Sequence, residues 1–150
     1  MPNTTDPRLI DEVIAFQQEW AATIGREFSR GNWEIGKRYY NEPDDLRHFD
    51  LQHGELDGPA FFDYMKQVAP FYGEQKIEFS DFVVHGEGDT AFVSMIQTFT
   101  GVDSEGRDFS FRFRATNGMR RIDGRWRIVH EHLSFPVDME TGLADLQSRR

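Results

Sequence analysis

Two carboxylates stand where acidity is costly. Asp50 follows Phe49 in the run Leu46–Gln52, and Glu131 sits within the strand-like run Arg125–Phe135. A carboxylate held beside aromatic rings is poorly solvated, which favours its neutral form, raises its pKa and suits it to general base work. The plain alternative for Asp50 is a strand-end residue that caps the next loop. Glu131, if it points inward, needs a partner or a proton, because an unpaired buried charge is very costly. If it points outward, it pairs with Arg112, Arg114 or Arg127 on neighbouring strands. His53, in the loop after Asp50, is a secondary acid–base candidate. Tyr39, Tyr40 and Tyr64 can each donate a phenolic hydrogen bond to a ligand, or be core residues with satisfied tips.

His130 and His132 form an H-x-H pair with both rings on one strand face. That spacing can bind a metal only if a third ligand arrives from elsewhere, and His48 and His53 are the candidates. The pair is read instead as an interface element, so no metal is expected. His85 precedes the turn Gly86-Glu87-Gly88-Asp89 and reads as a hairpin-end residue. The chain has no cysteine, hence no thiol nucleophile and no disulfide. It carries no nucleophile elbow, phosphate loop, dinucleotide fingerprint or metalloprotease helix.

The elements that must position these groups follow from periodicity. Asp6-Pro7 reads as an N-cap with proline in the first turn. Leu9, Val13, Phe16, Trp20, Ile24 and Phe28 then recur every three or four residues, which predicts one long amphipathic helix ended by Gly31. A shorter helical piece spans about Trp33 to Tyr40 and stops before Pro43. Leu46–Gln52 reads as a short strand. Asp57-Gly58-Pro59 opens a helix carrying Phe61, Phe62, Met65 and Val68, closed by Pro70. Four strand-like runs follow, Lys76–His85, Thr90–Thr100, Asp108–Arg121 and Arg125–Phe135, separated by turn sequences. Helices first and an antiparallel meander second predict a single α+β domain with helices packed on one face of the sheet. Its ordered core is expected over about residues 7–135, with a loosely held polar tail over 139–150.

Composition narrows the partners. A formal charge of −9 disfavours nucleic acid, whose phosphates need clustered Lys and Arg. The 14 phenylalanines suggest a core, and a cavity, walled by rings. The polar, acidic start is read as lacking a signal peptide, and no apolar run approaches the ~20 residues of a membrane span. A cytoplasmic protein is expected.

The run Asp123-Gly124-Arg125-Trp126-Arg127-Ile128-Val129-His130-Glu131-His132-Leu133-Ser134 resembles the last hairpin of the nuclear transport factor 2-like superfamily. SnoaL-like polyketide cyclases, ketosteroid isomerases and the association domain of calmodulin-dependent kinase II share that fold. Ser29-Arg30-Gly31-Asn32-Trp33, leading to Tyr39-Tyr40, resembles the family's first interhelical turn and second helix. His48-Phe49-Asp50 with Asp57-Gly58-Pro59 resembles its first strand, loop and third helix. The resemblance implies a curved, mainly antiparallel sheet wrapped around the long first helix, a cone-shaped, cystatin-like α+β barrel. It matches Asp50 to the proton-moving carboxylate of the isomerases and Asn117 to their oxyanion donor. Ile24 stands where they carry a tyrosine, which weighs against steroid isomerisation as such.

Parity along a strand, oriented by the same resemblance, puts Phe111, Phe113, Ala115 and Asn117 on the cavity face, with Val129, Glu131 and Leu133. Trp126, Ile128, His130 and His132 then fall on the outer face, where members of the fold dimerise, and a single β-bulge would swap these assignments. Trp20, Ile24, Tyr39 and Tyr64 complete the expected binding surface. The implied activity is cofactor-independent acid–base chemistry (isomerisation, dehydration, cyclisation or carbon–carbon cleavage) on an apolar, aromatic or polycyclic molecule. Asp50, Asn117, Glu131 and His53 are its candidate residues. The competing class is a ligand-binding or oligomerisation domain. A homodimer through the sheet is expected, and neither a nucleic acid nor a membrane as partner.

Overall fold

The computed structural model describes residues 4–41 and 45–149. Helix α1 spans Pro7–Phe28. Its start is fixed by Asp6, whose Oδ1 accepts the Arg8 amide at 2.9 Å, with Pro7 in the first turn. The buried stripe Leu9, Val13, Gln17, Trp20, Ile24, Phe28 runs its whole length, about 33 Å. Gln17 is the polar exception in that stripe. A 3₁₀ segment, Trp33–Arg38, follows. Pro43, expected to stop it, lies outside the described residues.

Strands β1 (Arg47–Phe49) and β2 (Glu55–Asp57) form a small hairpin. The expected strand over Leu46–Gln52 is thus only three residues long, and β2 carries too short a pattern to be read in advance. Helix α2, Gly58–Val68, is capped by Asp57, which accepts the Ala60 amide at 2.9 Å. After a 3₁₀ turn, Ala69–Phe71, come β3 (Tyr72–Glu87), β4 (Thr90–Asp103), β5 (Asp108–Ile122) and β6 (Arg125–Ser134). Asp123 and Gly124, at φ 52° and 76°, make the two-residue turn between the last two. The curved sheet has the order β2-β1-β6-β5-β4-β3 and is antiparallel except where β1 runs parallel to β6.

Besides a register shift between Tyr72 and Gln75 at the start of β3, two irregularities bend the sheet and decide what faces inward. In β3 the register passes from Ser80↔Ile96 to Val83↔Ser94, leaving one extra residue in β3, with Asp81 at φ 57°. In β6 it passes from His130↔Gly118 to Ile128↔Met119, leaving Val129 without a partner. An extra residue offsets a period of two by one, so every side chain beyond it changes face. Trp126 and Ile128, placed on the outer face by uninterrupted alternation, are therefore buried, at 9% and 0% exposure.

The C-terminal segment departs from expectation as well. Because β6 stops opposite Arg114, the start of β5 has backbone groups to spare. The tail takes them. The Arg112 amide donates to the Leu146 carbonyl at 2.9 Å, Ser148 Oγ to the Arg112 carbonyl at 2.7 Å, and Gln147 Nε2 to the Ser110 carbonyl at 2.8 Å. Residues expected to be loosely held are tied to the sheet by the unmet hydrogen bonds of its edge. Among the described residues no helix is long and apolar enough to cross a membrane.

Candidate active site

Between α1, α2 and the concave face of the sheet lies a cavity of about 450 Å³. Trp20, Ile24 and Phe28 of α1 form one wall, Phe61, Tyr64 and Met65 of α2 another. The sheet contributes Phe111, Phe113 and Leu133, and the tail closes over it with Ala144 and Leu146. Most of this surface is hydrocarbon, so polar groups that reach it stand out.

Four of those groups cluster where β1 meets β6. His48 and Asp50 are two residues apart and share a face, while Phe49 between them points to the other side. In the parallel pairing His48 is the register partner of Glu131. The result is a carboxylate on each side of one imidazole. His48 Nε2 is 3.3 Å from Asp50 Oδ1, and Nδ1 is 3.2 Å from Glu131 Oε1. The second contact is close but poorly aligned as a hydrogen bond, so its attraction is chiefly that of charge. The Tyr40 hydroxyl donates to Glu131 Oε1 at 3.1 Å. Asp50 Oδ2 accepts the backbone amides of Gln52 at 2.9 Å and His53 at 3.1 Å.

Behind the cluster a buried amide chain supports Glu131. Turned with its nitrogen towards the carboxylate, Asn117 donates to Glu131 Oε2 at 3.0 Å and accepts from Gln17 Nε2 at 3.3 Å. Gln17 and Asn117 are 0% and 1% exposed, which explains the polar residue in the α1 stripe.

These contacts set the charge states. Burial alone would push the His48 pKa down, but its contacts with Asp50 and Glu131 and their negative charge outweigh it and raise the pKa to about 9. His48 is an imidazolium at neutral pH. Burial alone would raise Asp50, yet the His48 contact and the two backbone amides hold its carboxyl below the usual range. The raised pKa expected of an Asp50 among aromatic rings is therefore not found, because hydrogen bonds and a cation win over desolvation. Burial, then the Glu131 charge and its hydrogen bond, push the Tyr40 phenol well above 10, so it remains a donor.

Comparison with known proteins places this geometry in a family. The SnoaL-like domain family matches residues 13–138. The chain belongs to the SnoaL-like domain family. A solved NTF2-like protein of unknown function from Pseudomonas putida KT2440 is 25% identical, with TM-score 0.75 over 94% of this chain and 96% of that one. A candidate dehydratase of the NTF2-like family from Streptomyces avermitilis is 17% identical, with TM-score 0.72 over 86% and 97% of the two chains. The association domain of C. elegans CaMKII is also 17% identical, with TM-score 0.67 over 88% and 99%. Among curated proteins none matches.

Within this SnoaL-like domain, the residues singled out from sequence divide cleanly. Asp50 and Glu131 come together, and Glu131 points inward rather than to Arg112, Arg114 or Arg127. Trp20, Ile24, Tyr64, Phe111, Phe113 and Leu133 line the cavity. Asn117 does not reach it; the residue stands one layer behind, bonded to Glu131. Tyr39 is buried elsewhere, its hydroxyl on Glu19 Oε1 at 3.1 Å, and the adjacent Tyr40 occupies the wall. Val129 is lifted out of the lining by its bulge. His53 lies exposed, its ring edge-on to Tyr64 of the cavity wall, and meets Asp50 through its backbone amide.

His48 enters the sequence reading only as a candidate metal ligand and as part of the family-like run; its place between the two carboxylates was not foreseen. Its signal was the H-x-D spacing itself, since two residues flanking an outward Phe49 must share the inner face. The same alternation separates it from His130 and His132, which grip the Phe49 ring on the outer face at 5.2 and 5.1 Å. His48 thus cannot complete a ligand set with that pair.

Proposed function

We propose that this domain is a small-molecule enzyme that moves protons within an apolar cavity without a cofactor, acting on a carbonyl or hydroxy-carbonyl compound with a ring-sized body. The observation that carries the reading is the buried Asp50–His48–Glu131 array at the end of a hydrocarbon pocket. A cation fixed between two carboxylates is costly to bury for packing alone. It suits a reaction in which one carboxylate takes a proton and the imidazolium supplies one.

In this reading Asp50 accepts the proton α to a substrate carbonyl. Tyr40, held as a neutral phenol, turns its single O–H from Glu131 to donate a hydrogen bond to the oxygen on which charge develops. His48, whose two ring nitrogens face Asp50 and Glu131, turns from one of them to give its proton to a departing hydroxyl, as water leaves in a dehydration, or to carbon in an isomerisation. Glu131 stabilises the imidazolium, and Asn117 and Gln17 hold Glu131 in place as positioning residues. Dehydration uses both an acid and a base at once and is the favoured member of the class.

The test is hydrogen–deuterium exchange α to the carbonyl of 2-tetralone in D2O, followed by NMR with binding measured in parallel. Wild-type protein should accelerate exchange, and Asp50→Asn and His48→Gln should each lose about 10²–10⁴ of that acceleration while still binding the ketone. Binding without any acceleration would sink the enzymatic reading. It would leave a ligand-binding domain, for which one observation already speaks: both carboxylates are well supplied with hydrogen bonds before any substrate arrives.

We also infer that two copies pair through the outer sheet face. Phe92, 48% exposed and stacked on His85, lies on that face with Thr116, Phe49, His130 and His132. Aromatic surface of this kind is commonly covered by a two-fold copy.

A further inference from the structure

Among the polar side chains of the cavity that the acid–base cluster does not use, two are buried amides. Gln75 on β3 and Gln97 on β4 both line it, and they are 9% and 7% exposed. Neither side chain forms a hydrogen bond among the described residues, and Gln75 Nε2 is fully occluded from solvent with no partner. Buried amides are ordinarily paired, and leaving one unpaired is expensive. Their cross-strand partners offer nothing: Phe79 stands opposite Gln97, Gly101 opposite Gln75, and the Ile77–Phe99 pair lies between.

Their place in the fold is as telling as their lack of partners. Helix α1 serves as a ruler. At Gln17 it touches Asn117, which holds Glu131; eight residues on, at Gly25, it meets β3, where an added Cβ would lie 3.4 Å from the Gln75 carbonyl. Eight helical residues span about 12 Å. The two glutamines therefore sit towards the opposite end of the cavity from Asp50, His48 and Glu131, across a hydrocarbon middle made by Ile24, Phe113 and Leu133.

We propose that Gln75 and Gln97, set apart by the Ile77–Phe99 pair, make the far half of the cavity a second polar pole, where either amide pairs with a hydroxyl or carbonyl oxygen on an elongated apolar ligand, about two fused rings long, at the end remote from the reacting carbonyl. The proposal rests on the reading of the cavity as a site for a small apolar carbonyl compound. A side-chain amide carries both a donor and an acceptor, so it serves either oxygen after a rotation of its terminal group. A ligand without that oxygen leaves the amides unpaired and binds less tightly, which makes the pole a device for specificity.

The experiment compares equilibrium binding of 2-acetylnaphthalene and 2-acetyl-6-hydroxynaphthalene. Wild-type protein should prefer the hydroxylated probe about 5- to 10-fold, the worth of one neutral hydrogen bond. In Gln75→Met, Gln97→Met and the double variant, which keep side-chain length, the preference should shrink and then vanish. The variants should melt no lower than the parent, since an unpaired buried amide is removed. Equal binding of the probes by wild type, a preference that survives in the double variant, or a clear fall in melting temperature would each overturn the second pole. Because no turnover is measured, a protein that shows the preference yet fails to exchange the ketone α-proton would lose the catalytic reading and keep this one. Failure of both probes to bind would overturn their shared premise.

Discussion

His48 and Glu131 are direct register partners across the parallel β1–β6 pair, and their side chains meet 3.2 Å apart inside the cavity wall. A strand of three residues thereby delivers an imidazolium to a carboxylate 83 positions later in the chain. Most of what can be tested follows from that pairing and from Asp50 on the other side of the ring.

Stability should depend on pH through His48. Its pKa rises from 6.5 in the unfolded chain to about 9 in the fold. The folded state therefore holds a proton that the unfolded state has lost over that interval. The stabilisation is complete below about pH 6.5 and disappears as pH rises through 9, roughly 3 kcal/mol in all. Asp50, lowered in the fold, acts at the other end: its contribution is present above its unfolded pKa near 4 and lost as acid titrates the folded carboxyl. Urea unfolding from pH 5 to 10 should show the alkaline decline in wild type and not in His48→Gln. A wild-type curve flat from 6.5 to 9 would refute the assignment.

Asp50→Asn should lose about 10²–10⁴ in turnover with ligand affinity and fold nearly intact, since Asn keeps the size of Asp but not its basicity. The rate profile of the wild type should fall on the alkaline side near pH 9 as His48 discharges. Its acid limb should lie below the ordinary carboxylate range. A variant that turns over at the parent rate would make Asp50 a loop cap, which its bonds to the Gln52 and His53 amides already allow.

Tyr40→Phe removes the phenolic donor and leaves the rings that pack on it, Phe61 at 4.9 Å and Phe62 at 6.2 Å. Stability should drop by about 1.5–3 kcal/mol, since the lost bond goes to a buried carboxylate, whereas kcat should fall ~10²-fold with KM little changed, the pattern of a group that bonds chiefly to the transition state. Loss confined to KM would place Tyr40 in binding alone.

Ending the chain after Pro136 should lower the melting temperature by about 5 °C and weaken binding of a bicyclic ketone several-fold. The tail satisfies the free edge of β5 and covers the cavity with Leu146. Unchanged binding would show that the segment closes nothing.

Light scattering at micromolar concentration should report a dimer, and Phe92→Lys should shift it to monomer without loss of ligand binding. A monomeric parent protein would remove the sheet-face interface.

Much of this was legible in the order of residues. The α1 stripe, both Asp-Pro-type helix starts and the meander with its turn residues follow from periods of 3.6 and 2 and from local capping, which need no distant partner. The pairing of Asp50 with an acidic residue of the last strand was half legible, because family likeness pointed to the first and strand position to the second. What required the tertiary structure was everything set by an offset or by a neighbour distant in sequence. The bulge at Val129 turns Trp126 and Ile128 inward, and a one-residue insertion leaves no mark in composition. The charge on His48 and the depressed pKa of Asp50 depend on contacts made across β1 and β6 and through a loop, which outweigh the desolvation that aromatic surroundings alone would imply. The tail is polar and aperiodic, yet it is ordered because β6 ends early and leaves hydrogen bonds of β5 to be met. Alternation and capping are local and can be read along a chain; register, burial and the partner of a charge are relations between segments, and only the folded chain brings them into being.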